Sequence, residues 1–198
     1  MSRPLVAAPE DTAAVVETVT LAFLDDPVWA WAFPDADRRA EHYRVWWAMG
    51  IVCSIGQGAV WMTDPDAAAV AVWVPPGGRE LSPEDELRVE PMLRDQLGAV
   101  HAEQVLELLS RFDSHHPGED FHYLSLLATH PQHRGRGLGI GLLASRLAEL
   151  DALGEPSLLE STNPVNHARY ARLGYRQIDE FHAPSGGPPV AVMWRDPR

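Results

Sequence analysis

Lysine is absent from this chain. All 16 strongly basic residues are arginine, against 28 acids, and the formal charge is −12. A chain without lysine cannot carry a Walker A loop, whose lysine reaches the terminal phosphates of a nucleotide. Sparse positive charge also cannot neutralise the many phosphates of a nucleic acid, so none is expected as a partner. Cysteine occurs once, at Cys53. No internal disulfide can form, and no Cys/His cluster has the spacing of a zinc site, so no metal is expected either. No apolar run approaches the roughly 18–20 residues of a membrane span, and the opening MSRPLVAAPEDTAAVV lacks the charged, apolar, small-residue order of a secretion signal. The expectation is a cytoplasmic protein with no membrane partner. What the chain has in quantity is apolar surface, 45% of 198 residues, enough for one domain with a real core.

The pattern along the chain predicts an α+β fold. Asp11 is placed to cap a helix carrying Val15, Val19, Ala22 and Phe23. An aromatic-rich loop spans residues 27–34, and a helix over 37–55 bears Trp46 and Trp47. Apolar runs at 59–63 and 68–74, separated by Asp64-Pro65-Asp66, predict an antiparallel hairpin. Ser82-Pro83 with the acid at Asp85 starts helical sequence that breaks at Gly98 and ends near Arg111. From residue 121 the order is β-α-β-α-β-β, with strands at 121–129, 157–162, 175–181 and 190–194 and helices over 138–153 and from Asn163-Pro164 to Gly174.

Between the strand ending at Thr129 and the helix starting at Leu138 lies His130-Pro131-Gln132-His133-Arg134-Gly135-Arg136-Gly137-Leu138-Gly139. Free amides and the positive end of a helix dipole converge in such a turn, which suits an anion, phosphate above all. A purely structural reading stands beside it: the glycines let helix and strand pack closely while the arginines are solvated. The spacing is not the G-x-G-x-x-G of a dinucleotide fold.

The run Arg134 to Gly139 resembles the R/Q-x-x-G-x-G/A signature of the GCN5-related N-acetyltransferases. Asn163, followed seven residues later by Tyr170 and then by Leu173-Gly174-Tyr175, is similar to the family's second signature, with tyrosine for the usual final phenylalanine. The match is firm over residues 121–175. Residues 68–74 and the helical stretch after them are similar to the puromycin-acetylating members. The resemblance implies a mixed central sheet splayed after the 121–129 strand and flanked by helices. It implies one domain over 1–198, with an acceptor-side half at 3–120, a helical insertion at 82–112 and an acetyl-CoA-binding half at 121–198. It further implies acetyl-CoA as co-substrate and a small primary amine as acceptor. Homodimers are common among such relatives and are the assembly to test.

On that resemblance, the main chain of Leu127, Ala128 and Thr129 pairs with the pantetheine arm, and Arg134, Gly135, Arg136, Gly137, Leu138 and Gly139 hold the pyrophosphate. Asn163 and Asn166 contact the cofactor, a role compatible with capping a helix. Tyr170 donates a proton to the departing thiolate, and the Leu127 amide polarises the thioester carbonyl. For the base, Glu160 is a charged residue in an apolar strand, buried and raised in pKa or turned outward and solvated. His122 and the pair His115-His116 are further candidates, as is a chain of waters. Acceptor specificity is expected from Trp29, Trp31, Phe33, Tyr43, Trp46, Trp47 and Trp73, most of which also suit a core. Residues 79–120 hold eleven acids against four arginines, read mainly as a solvated helical face. Rival functions are acetylation of a protein amino terminus or side chain, and a non-catalytic acyl-CoA sensor.

Overall fold

The computed structural model of the chain describes residues 4–63 and 66–198. The chain runs through β1 (Leu5–Val6), α1 (Thr12–Phe23), α2 (Pro27–Ala32), α3 (Arg39–Gly56), β2 (Val60–Met62) and β3 (Ala69–Val74). Then come α4 (Pro83–Leu97), α5 (Ala99–Ser114), β4 (His122–Thr129), α6 (Leu138–Leu153), β5 (Ser157–Ser161), α7 (His167–Arg172), β6 (Arg176–His182) and β7 (Pro189–Arg195). Seven strands form one sheet in the order β1-β2-β3-β4-β5-β7-β6. The β4–β5 pair is parallel, with α6 as its crossover; the other pairs are antiparallel. This is the expected α+β mixed sheet.

Alternation along β3 sends side chains to two cores. Ala69, Ala71 and Trp73 pack with Leu142, Leu143, Leu147 and Leu150 of α6 and Tyr170 of α7. Val70 and Val72 face the opposite layer, built from α1, α3, α4 and α5 around Val15, Tyr43, Ile51, Leu93 and Leu108.

The feature that opens a site is the parting of β4 from β5. They pair only at His122↔Ser157 and Tyr123↔Leu158, while β4 continues to Thr129. The splay expected after this strand therefore begins near its start. On its other side β4 steps out of register, from Val72↔Leu126 to Trp73↔Leu124, and leaves Ser125 unmatched. Such a bulge bends a strand and re-aims the extra side chain.

Several local expectations are corrected. Residues 27–32 form a helix rather than a loop, because Asp26 caps it, accepting from the amides of Val28 and Trp29 at 3.1 and 3.2 Å. Asp11 does not cap α1. Its carboxylate turns back to accept from the Ala8 amide at 2.8 Å, in a short turn that precedes the helix. Ser82 and Gly98 act as read: the serine hydroxyl accepts from the Asp85 amide, and Gly98 (φ 76°) separates α4 from α5. In the expected turn Asp64-Pro65-Asp66, Asp64 and Pro65 lie outside the described residues.

Candidate active site

A cleft of about 820 Å³ occupies the gap between β4 and β5 and extends over the α1–α5 face of the sheet. Leu127, Glu160, Asn163, Asn166 and Tyr170, all singled out in the sequence, line it together with the candidate base His116 and with Trp29, Trp46 and Trp47. Ala128, Thr129 and residues 134–139 are not among its walls and belong to the end of β4 and the turn beyond it.

Tyr170 reaches the cleft from α7 with its ring against the α6 core and its residue surface 9% exposed. Burial, and then the nearby charge of Asp26, push its phenol up to about 12. The group is therefore protonated at any physiological pH. Asp26 is itself buried, and burial raises its carboxyl despite donors from Thr162, Trp29 and Val28. The Thr162 hydroxyl donates to it at 2.7 Å, which ties α2 to the end of β5. Asn163 caps the turn after β5, accepting from the Val165 amide at 3.2 Å, and Asn166 accepts from the Arg169 guanidinium at 2.7 Å. Both asparagines thus have structural tasks while still facing the cleft.

The candidate bases separate clearly. Glu160 is not a solvated outward carboxylate: its side chain is 2% exposed and one oxygen lies 2.6 Å from His116 Nε2. Its other oxygen is buried without a hydrogen-bond partner. Burial favours the neutral imidazole of His116, but the Glu160 hydrogen bond and the charges of Glu160, Asp113 and Glu80 outweigh it, so its pKa is raised. His122 lies on the far side of the sheet, held at 2.6 Å by Glu155, and His115 bonds the Arg111 carbonyl at the end of α5. Neither lines the cleft.

Sequence reading missed Glu80. This residue follows β3, lines the cleft and accepts a short hydrogen bond from the Ser125 hydroxyl at the β4 bulge. The carboxylates on the cleft wall are Asp26, Glu80, Glu86, Glu90, Asp113, Glu119, Asp120 and Glu160, against the single guanidinium of Arg79. Six of these eight fall in the acidic stretch taken for a solvated helical face. The acid surplus was the available signal; its direction was not.

Aromatic groups also sort by face. Phe23, Trp29, Trp46, Trp47, Phe112 and Tyr123 wall the cleft. Trp73 does not: it points to the α6 side with Trp61 and Arg146. Trp31 packs at a tilt against the His101 ring, and Phe33 and Tyr43 are core.

The glycine turn needs glycine for two different reasons. Gly135 and Gly137 adopt left-handed φ of 80° and 73°, and Gly137 precedes the first turn of α6. Gly139 has a different reason to be glycine, since a Cβ there would stand 2.6 Å from Thr129 Oγ1. The Arg134 guanidinium donates to the Ala22 carbonyl at 2.9 Å, bracing the turn against the end of α1, and Arg136 is exposed. Among the described residues there is no grouping able to hold a metal ion, and no helix is long and apolar enough to cross a membrane.

No family model matches the sequence. Solved structures do match over the whole chain. A histone acetyltransferase HPA2 and related acetyltransferase from Corynebacterium glutamicum superposes with a TM-score of 0.71 at 24% identity, covering 100% of this chain and 98% of its own. Arylalkylamine N-acetyltransferase 2 from Aedes aegypti gives 0.66 at 12%, covering 99% of each chain. Polyamine N-acetyltransferase from Drosophila melanogaster gives 0.60 at 14%, covering 99% of this chain and 100% of its own. The chain has the fold of the GCN5-related N-acetyltransferases. In this acetyltransferase fold the cleft runs from Glu80 to Leu127, and the glycine turn follows the end of β4 and leads into α6.

Proposed function

We propose that the protein is an acetyl-CoA-dependent N-acetyltransferase that modifies the primary amine of a small molecule by direct attack in a ternary complex. The observation that carries this reading is the meeting, at the β4–β5 gap, of the Tyr170 phenol and the β4 edge with a carboxylate-lined arm. Acetyl-CoA, when bound, supplies a thioester carbonyl that a neutral amine can attack, the C–N bond forming as the C–S bond breaks.

The chain's own groups suit that co-substrate. Beyond Tyr123 the β4 edge has no strand beside it toward β5, so backbone groups of Leu127, Ala128 and Thr129 are free to pair with an amide-bearing arm and to polarise a carbonyl. The left-handed glycines at 135 and 137 stand beside the exposed Arg136 at the helix start, where unpaired amides and the helix dipole suit a pyrophosphate. Asn163 and Asn166 add polar groups to the same wall. Tyr170 meets the sulfur side as a protonated phenol. At about 12 it holds its proton more tightly than a thiol of ordinary ~8.5 does, so it stabilises the thiolate mainly as a hydrogen-bond donor and shares its proton late.

Eight carboxylates and a wall of flat apolar rings favour a cationic amine on a hydrophobic body. The mosquito neighbour is named an arylalkylamine N-acetyltransferase and the fly neighbour an enzyme that forms N-acetylagmatine, which supports an amine acceptor. The likeness to a histone acetyltransferase keeps a protein amine as the second reading.

An amine panel read by thiol release tests the proposal, with puromycin, agmatine, phenethylamine, an aminoglycoside and a histone tail peptide as acceptors. Turnover with a small amine and not with the peptide is expected. Tight acetyl-CoA binding with no acceptor turned over would instead mark a sensor.

A further inference from the structure

The acidic arm of the cleft holds a carboxylate that neither sequence signature contains. Glu80 lies in the loop between β3 and α4, and that loop is fixed in place. Gly77 takes a left-handed φ of 72°, and a Cβ at Gly78 would stand 2.8 Å from the Pro75 ring. The Arg79 carbonyl accepts from the side-chain amide of Gln57, the residue after α3, at 2.9 Å. From the sheet, the Ser125 hydroxyl donates to the Glu80 carboxylate. Ser125 is the residue the β4 bulge leaves unmatched, two positions before Leu127. Glu80 is exposed on the cleft side, whereas Glu160 is covered and engaged by His116. Of these two carboxylates, Glu80 is the one a ligand can touch.

We propose that Glu80 is the catalytic base of the transfer, taking the proton of the acceptor's ammonium while the Ser125 hydroxyl positions it. This rests on the acetyl-transfer reading given above. An alkyl ammonium resembles a lysine side chain, with a pKa near ~10, and has no free electron pair. In the proposed step an N–H bond breaks, an O–H bond forms on the Glu80 carboxylate, and the electron pair stays on nitrogen, ready for attack. The carboxyl then returns the proton to water in the open cleft.

A base works best when its pKa lies near the working pH. Although cleft water reaches Glu80, the surrounding protein crowds it enough that burial, joined by the charges of Glu160 and Asp113, pushes its carboxyl up to about 7 against the Ser125 hydrogen bond and His116. The other charged groups on this arm are Arg79, drawn to Glu86 of α4 at 3.3 Å, Glu90 of α4, and Glu119 and Asp120 before β4. The Tyr123 phenol is raised well above its ordinary value by burial and by the Glu160 and Glu80 charges, so it stays neutral.

Two measurements test the assignment. Carbon-NMR titration of the glutamate carboxyls in the cofactor-free protein should show one group titrating near 7 that vanishes in Glu80→Gln; a Glu80 carboxyl titrating in the ordinary range near ~4.3 overturns the proposal. With an amine the panel shows to be acetylated, kcat/KM should rise with pH through the same value. Glu80→Gln should lower it about a hundredfold and abolish that limb while leaving acetyl-CoA affinity intact. Ser125→Ala should move the limb to higher pH, because the hydrogen bond that favours the ionised form is gone. Wild-type kcat/KM in Glu80→Gln overturns the proposal alone, and so does loss of acetyl-CoA affinity, which would make the residue structural. A wild-type protein that acetylates no amine overturns the functional reading, and the proposal with it.

Discussion

Three carboxylates at the β4–β5 gap meet burial in three ways. Asp26 gathers donors from Thr162, Val28 and Trp29; Glu160 takes His116 on one oxygen only; Glu80 takes Ser125 and keeps a face to the cleft. Linkage makes Glu80 visible in stability. Its carboxyl moves from an ordinary 4.5 to about 7 on folding, so between those values the unfolded chain has released a proton that the native protein retains. Native stability should therefore fall as pH rises through that window and level off above it. Glu80→Gln removes this term, so the urea stability of wild type relative to the variant should be highest near pH 4 and lowest above pH 7. A difference that does not change with pH would contradict the placement. Tyr170 was legible in the sequence because its spacing from Asn163 is a pattern. Glu160 was legible as a charge in an apolar strand, but its partner His116 comes from a segment 44 residues away. Glu80 was not legible at all, because in a stretch of eleven acids nothing local says which one the chain turns inward.

At the scale of elements, the glycine turn joins β4 to α6 through two unlike demands on glycine. Gly137 needs a left-handed φ of 73° with open space around it, so Gly137→Ala should cost about 1–2 kcal/mol as backbone strain. Gly139→Ala should cost about 1–3 kcal/mol by overpacking, because its Cβ would stand 2.6 Å from Thr129 Oγ1 and displaces either that side chain or the helix start. That displacement should also weaken acetyl-CoA binding, whereas urea denaturation alone reads the first cost. Unchanged stability and affinity in Gly139→Ala would show that helix and strand do not need this close approach. The strands and long helices were readable from period and caps. Two elements were not. The α2 helix has six residues and hides its cap, Asp26, in an Asp-Asp-Pro run that reads as a turn. The Ser125 bulge leaves no mark in the sequence, where a lone serine between Leu124 and Leu126 says nothing of register, yet it decides which side chain of β4 faces the acidic arm. Trp73 was misassigned for the same kind of reason: along β3 every residue is buried, so composition does not say which face each side chain takes.

Across the whole molecule, the charge of −12 is concentrated where it has a use. Eight carboxylates against one guanidinium line the cleft, while the turn at residues 134–139 gathers arginines in an otherwise acidic chain. On the proposed function, the acidic cleft suits a cationic amine and the arginine-bearing turn a phosphate. Raising ionic strength from 0.05 to 0.5 M shortens the Debye length from roughly 14 to 4 Å, so KM for a cationic acceptor should rise several-fold while kcat holds. An acceptor whose KM ignores salt would place its cation outside this field. The central claim is that the gap between β4 and β5 is a transfer site with Tyr170 at the sulfur. Its most direct test is kcat and acetyl-CoA Kd measured side by side for wild type and Tyr170→Phe, with the best amine of the panel. The account predicts kcat lower by about a hundredfold with Kd unchanged. A variant that turns over at the wild-type rate would contradict it.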